Sequence, residues 1–319
     1  MRSIAWLSLA LYLTIPSLGQ QPAELRNDGS ISIPTLVESK AGQIAYGLSA
    51  EDFSLKDNGV PQRLQLESEP TRRPLSLLLV IQTGHNAESH LQDISGLDDL
   101  LDSILTSPSD QVGVITFDSR PSLVQQLTSG SKAISSALGE IRPGDSGSAL
   151  FDAIHMAINS LRSAPAGNRK AILLISSEHD HGSNASDTAS LVRDSAASNA
   201  SIDCLSFVTG RQGMSKLRSL NPLAMTAAAM QKNSPSTLAQ LTGGDFYRFN
   251  SERQFEDEFG DIATHLNNRY ILAFRPSKPE PGFHSLQVQV LRAKINVVSS
   301  RSGYWVSSSD PTAGAGGEE

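Results

Sequence analysis

Residues able to do chemistry gather in three short stretches of this chain. Gly144-Asp145-Ser146-Gly147-Ser148 has the form of a nucleophile segment, with His85 and Asp118 ahead of it in the order a chymotrypsin-type serine hydrolase uses. Glu178-His179-Asp180-His181, together with His85, offers imidazoles and carboxylates that could hold Zn²⁺ or another transition metal. Gln82-Thr83-Gly84-His85-Asn86 is a polar loop that abruptly ends an apolar run. A hydrolase on His85 and Ser146, or a metal-dependent enzyme on His85, His179 and His181, is therefore the enzymatic alternative. Both rest on weak spacing. Helical periodicity from Ala149 to Leu161 follows the serine segment directly, where a protease of this type would continue as a β-barrel. The histidine spacing fits no established zinc motif. The plain expectation is a loop that shapes a helix entry, a solvated polar loop and an exposed histidine, with no catalytic residue and no cofactor.

The elements that must position these stretches follow from periodicity. Leu75 to Ile81 is continuously apolar, the signature of a parallel strand covered on both faces, and functional residues gather at the C-terminal edge of such strands. Helical spacing is expected over Leu91–Leu105, Ala133–Ile141, Ala149–Leu161, Ala185–Ala197 and Phe255–Leu266. Strands are expected over Gln111–Phe117, with Ser122–Leu127 as its hairpin partner, and over Ala171–Ile175, Ile202–Val208 and Phe246–Phe249. This alternation predicts a doubly wound α/β sheet. Before it, Ile31–Val37, Phe53–Lys56 and Arg63–Leu66 read as half-exposed strands, with a hairpin turn at Asp57-Asn58-Gly59. After it, Tyr270–Phe274, Leu286–Val290, Ile295–Val298 and Tyr304–Val306 restore the β rhythm. Neither end has enough strands to bury a core alone, so the two are expected to pair. The predicted organisation is an N-terminal β segment over 20–74, an α/β domain over 75–267 inserted into a β-sandwich, and a C-terminal β segment over 268–306. Cys204, inside a strand, reads as a small core residue.

Lys and Arg total 26 against 33 Asp and Glu, a balance that argues against nucleic acid as a partner. Arg2, the apolar stretch Ile4–Leu18 and the small residues Ser17 and Gly19 predict a signal peptide over 1–19, hence a periplasmic or extracellular protein with no transmembrane span after cleavage. With a single cysteine, no intramolecular disulfide is possible. The tail 307–319, rich in Ser, Gly and Ala, is expected to be disordered.

Several motifs carry a resemblance. Leu48-Ser49-Ala50-Glu51-Asp52-Phe53 with Asp57-Asn58-Gly59, Phe117-Asp118-Ser119-Arg120, Ser148-Ala149-Leu150-Phe151-Asp152-Ala153-Ile154, Leu241-Thr242-Gly243-Gly244, Phe274-Arg275-Pro276 and Arg301-Ser302-Gly303-Tyr304 occur in one order. In these the chain resembles von Willebrand factor A domains, and more closely the VWFA-related proteins exported by acidobacteria. The resemblance implies a protein-binding or adhesion module and, in many members, a metal-ion-dependent adhesion site built on D-x-S-x-S, a Thr and an Asp. Here those positions hold Gln82, Gly84 and Asn86, then Ser148 and Ser177. Both carboxylates are missing, and Mg²⁺ dehydrates reluctantly without them. Nearby Asp145 or Asp180 would have to supply the charge. The expectation is a degenerate site without metal, binding an unidentified protein or cell-envelope ligand.

Overall fold

The computed structural model describes residues 29–68, 73–85, 87–207 and 222–307. The expected signal peptide, Asn86 and nearly all of the expected disordered tail lie outside these.

Four strands open the chain: β1 (Ile31–Ser39), β2 (Phe53–Asp57), β3 (Val60–Gln62) and β4 (Leu64–Ser68). The turn between β2 and β3 is the expected Asn-Gly hairpin, with φ of 46° at Asn58 and 82° at Gly59. The α/β unit begins with β5 (Leu75–Gln82), every residue of which is buried. Two short helices follow, α1 (Glu88–Leu91) and α2 (Leu97–Leu101), then β6 (Gln111–Phe117), β7 (Pro121–Thr128), α3 (Ser131–Gly139), α4 (Leu150–Ser160) and β8 (Arg169–Ser176). The unit closes with α5 (Thr188–Ala197), β9 (Ala200–Phe207), α6 (Pro222–Lys232), α7 (Ser234–Thr242), β10 (Phe246–Phe249) and α8 (Glu252–Asn268). Strands β11 (Tyr270–Phe274), β12 (Gly282–Val290), β13 (Ile295–Ser300) and β14 (Gly303–Val306) end the described chain.

The central sheet has the order β10-β9-β8-β5-β6-β7 and is parallel except for the β6–β7 hairpin. Within β5 the two-residue side-chain period splits the apolar run. Leu75, Leu77, Leu79 and Ile81 pack with α8 residues such as Phe255, Phe259 and Ile262, while Leu78 and Val80 pack with Leu150, Ile154 and Ile158 of α4. Each buried Leu or Ile contributes about 1.5–3 kcal/mol, so β5 anchors both layers.

The single helix expected over Leu91–Leu105 is broken. Ile94, Leu97, Leu101 and Ile104 are buried as the spacing predicts, but Ser95 and Gly96 interrupt the backbone between α1 and α2.

The two chain ends form two four-stranded sheets, ordered β13-β1-β11-β4 and β14-β12-β2-β3. They enclose a separate core made by Ile31, Ile33 and Val37 of β1, Phe53 and Leu55 of β2, Tyr270 and Leu272 of β11, and Tyr304 of β14. Strands from before and after the α/β unit therefore complete one another, as their separate shortage of apolar surface requires.

The motifs Leu241-Thr242-Gly243-Gly244 and Arg301-Ser302-Gly303-Tyr304 join the two units. Gly243 ends α7 at φ 82°, and a Cβ there would lie 2.6 Å from the Arg301 amide and 2.9 Å from the Pro34 carbonyl. Arg301 is buried and donates to the carbonyl oxygens of Ser198, at the end of α5, and Ser32 of β1.

Candidate functional site

The loops after β5, β6 and β8 meet at the C-terminal edge of the parallel sheet, the edge where open α/β sheets carry their sites. Gln82, the last residue of β5, is 1 % exposed, and its amide is fully engaged. Nε2 donates to the carbonyls of Gly84 (3.0 Å) and His85 (3.2 Å). Oε1 accepts from the backbone N–H (2.9 Å) and the hydroxyl (3.0 Å) of Ser177. One neutral side chain thus ties the β5 loop to the β8 loop. A carboxylate at that point would present oxygens to two carbonyls that need donors.

Gly84 lies beneath the loop that leads into α4. A Cβ there would fall on the Gly147 carbonyl oxygen, 2.6 Å from the Asp145 carbonyl oxygen and 2.8 Å from the Asp118 Cβ. His85 has a positive φ of 41° and donates its N–H to the Asp145 carbonyl at 3.1 Å. Gly144 and Gly147 are equally confined, against Asp118 and Ser119. We expect Gly84→Ser to destabilise the protein by about 1–3 kcal/mol, the range of overpacked core sites, read as a lower urea midpoint.

The carboxylates near this edge are already occupied. Asp145 accepts from the Ser119 hydroxyl, the Ser119 N–H (2.9 Å) and the Gly147 N–H (2.8 Å). The Ser119 hydroxyl and the Gly147 amide hold its carboxyl below the usual range. Asp180 accepts from the Phe151 N–H (3.2 Å) and the Ser183 hydroxyl (2.6 Å), and so caps the first turn of α4. Asp152 accepts from the amides of Asn184 and Ala185. Glu178 is paired with Arg248 of β10.

Ser148 is fully buried. Its backbone forms a two-way bridge with His181, 3.0 and 2.8 Å, and its hydroxyl makes no hydrogen bond among the described residues. Ser148 is therefore near the start of α4 without capping it. The rings of His85 and His181 pack at a tilt of 35° with centroids 4.3 Å apart, and His179 meets His181 edge-on at 6.1 Å. Burial, with the neighbouring His85 and His179, lowers the His181 pKa.

The structure brings Gln82, Gly84, Ser148 and Ser177 to one edge; Asn86, the remaining adhesion-site position, lies outside the described residues. Three histidines share that edge, yet no group of three or more His, Cys, Asp or Glu side chains among the described residues could hold a metal ion. The protease order does not become a relay. The Asp118 carboxylate accepts from the amides of Arg120 (3.1 Å) and Asp145 (3.3 Å), while the His85 ring packs at a tilt against His181. Cys204 is buried, with its Sγ 3.3 Å from the Pro235 carbonyl oxygen, and burial pushes its thiol pKa well up.

A buried ionic cluster joins the α/β unit to the sandwich, and the periodicity gives little hint of it. Arg269, between α8 and β11, donates to both oxygens of Asp203 (3.1 and 2.5 Å) and to Asp245 (2.7 Å). His265 bridges Asp245 (3.0 Å) and Glu38 of β1 (3.2 Å). One sequence signal does exist: Asp203 interrupts the otherwise apolar Ile202-Asp203-Cys204-Leu205, and an acid inside a buried strand requires a cation.

The molecule is thus an α/β protein of the doubly wound class, with its loop cluster at the C-terminal strand edge. Residues 82–179 match the model of the von Willebrand factor type A domain. Three similar solved structures are the conserved hypothetical protein BatB from Bacteroides thetaiotaomicron, the vWF domain of the type V pili tip protein Mfa5 from Porphyromonas gingivalis, and a von Willebrand factor type A protein from Catenulispora acidiphila. BatB is 18% identical, covering 60% of this chain and 99% of that one, with a TM-score of 0.41. For Mfa5 the identity is 9%, the coverage 61% and 95%, and the TM-score 0.44. The Catenulispora protein is 10% identical, with coverage of 82% and 74% and a TM-score of 0.49. No curated protein sequence matches the chain. Among the described residues no helix is long and apolar enough to cross a membrane.

Proposed function

We propose that this chain is an exported, non-enzymatic binding module. It engages a protein or cell-envelope ligand through the loop edge of Gln82, Gly84, Asn86, Ser148 and Ser177, without a divalent metal. The observation that carries this is the Gln82 amide, whose donors and acceptor are all spent on the Gly84, His85 and Ser177 groups around it. The covering of Gly84 by the Asp145 and Gly147 carbonyls supports the same reading, since a family serine has no room there. Asp145 and Asp180 are engaged by hydroxyls and amides, which argues against either as a substitute ligand. The packing of the His85 ring against His181 and the amide-bound Asp118 carboxylate argue against hydrolysis through Ser146. Export rests on the leader pattern over residues 1–19.

Titration of the purified chain with Mg²⁺ or Mn²⁺ is expected to leave Tm within about 1 °C, because a ligand that does not bind the native state cannot stabilise it. A saturable rise of about 5 °C would overturn the metal-free reading. Capture of one partner from envelope extracts should proceed equally in Mg²⁺ and in EDTA and weaken in Ser146→Arg, on the exposed tip of the loop. A partner held equally well by Ser146→Arg would place binding elsewhere.

A further inference from the structure

On the opposite edge of the central sheet, where β5, β8 and β9 begin, a cavity of about 380 Å³ opens between the α/β unit and the sandwich. Leu75, Arg169 and Ser201 line it from the strand starts, and Ser32, Pro34 and Ile271 from β1 and β11. Among the described residues its lining includes four cationic side chains, Arg73, Arg169, Lys170 and Arg269, and no carboxylate. That volume lies within the range of small-molecule sites.

The charges are not evenly compensated. Arg269 is answered by Asp203 and Asp245, although its Nε is buried without a hydrogen bond among the described residues. Arg73 donates Nε to the Gly167 carbonyl (2.8 Å) and stands 3.9 Å from Glu67. Among the described residues Arg169 has only neutral acceptors: the carbonyls of Arg73 (3.1 Å) and Leu266 (2.7 Å) and the Asn267 side-chain oxygen (3.4 Å). A guanidinium carries more N–H groups than these bonds use. Burial, and the nearby Arg269 and Arg73, lower its pKa, although Asp110 opposes this. A largely buried cation without an ion-pair partner is costly unless something anionic answers it.

We propose that this cavity binds a small, multiply charged oxyanion ligand, a polycarboxylate or a phosphate compound, held by the guanidinium groups of Arg73 and Arg169 and the ammonium of Lys170. Planar guanidinium groups suit both kinds of oxyanion, and a ligand seated there touches both structural units. This site is separate from the loop edge, at the other end of the same strands, and its test does not depend on the reading of that edge.

The experiment is thermal unfolding of the full chain titrated with citrate and, separately, with inorganic phosphate, each against NaCl at matched ionic strength. At least one of the two anions should give a saturable Tm increase of about 2–5 °C beyond NaCl. A response to citrate alone assigns the site to carboxylates, and a response to phosphate alone to phosphate compounds. Lys170→Gln and Arg73→Gln, made singly, should each weaken the apparent affinity at least tenfold, measured by calorimetry. The two variants guard against one of them failing to fold. No shift beyond NaCl with either anion, or an unchanged affinity in the folded variants, would overturn the proposal.

Discussion

Arg269→Met is expected to cost about 3–5 kcal/mol, the range for removing one partner from a buried ion pair. Asp203 and Asp245 are both buried, and Arg269 is the guanidinium that answers them. Without it, Asp203 loses its cation and, among the described residues, Asp245 keeps only His265 as a charged partner. Urea unfolding should show a lower midpoint with an unchanged slope. Adding Asp203→Asn and Asp245→Asn to Arg269→Met should recover part of the loss, since the penalty lies in the stranded charges. A triple variant less stable than Arg269→Met alone would refute this account.

The same cluster sets a pH dependence. Burial alone would raise the Asp245 pKa, but Arg269 and His265 outweigh it and lower it to about 2. Its contribution is therefore present above the unfolded carboxylate value near 3.9 and is lost as pH falls toward about 2. For His265, burial opposes protonation while Asp245 and Glu38 favour it, and the net pKa is raised. That contribution is complete below about 6.5 and fades as pH rises through the higher folded value. The two groups share one contact, so their gains are not additive. Stability from this cluster should be greatest near pH 5–6, and Arg269→Met should flatten the acid limb of the profile.

Gln82→Asp is the second large effect, expected at about 3 kcal/mol from a buried carboxylate set against two carbonyls that lose the Gln82 donor, of which the Gly84 carbonyl keeps only the Ala87 N–H among the described residues. The substitution restores the acid that the adhesion-site pattern calls for, yet it removes both bonds to Gly84 and His85. Millimolar Mg²⁺ is expected to leave the variant no more stable, since Gly84 supplies no side-chain oxygen and its open side is covered by Asp145 and Gly147. Recovery of the wild-type midpoint in Mg²⁺ would mean that the loop retains room for a cation.

Much of the fold was legible because local chemistry and tertiary demand agree. The apolar run in β5 could only be a strand covered on both faces, and Asn58-Gly59 could turn with positive φ at both residues. The Leu91–Leu105 stretch was legible only in part: its apolar spacing identified the buried positions, but not the turn before α2 that breaks the helix. At the loop edge, the neutral residue types are visible in the sequence, whereas the use of Gln82 is not. Its role depends on Ser177 standing opposite, a consequence of the β5–β8 pairing. Arg169 and Lys170 are unremarkable in a linear reading, and they define a cavity only once β1 and β11 close over the strand starts.

The interleaving of the two chain ends has a consequence for how the protein must assemble. Strand β1 hydrogen-bonds to β11 and β13, and Tyr46 reaches Asn268, 222 positions away. The α/β unit between them gathers its own core from contacts closer along the chain, so it is free to form while the opening strands still wait. Such long-range closure is slow. Until the last strands arrive, β1 and β4 carry bare hydrogen-bonding edges, so the interval most exposed to aggregation falls between completion of α8 and docking of β11.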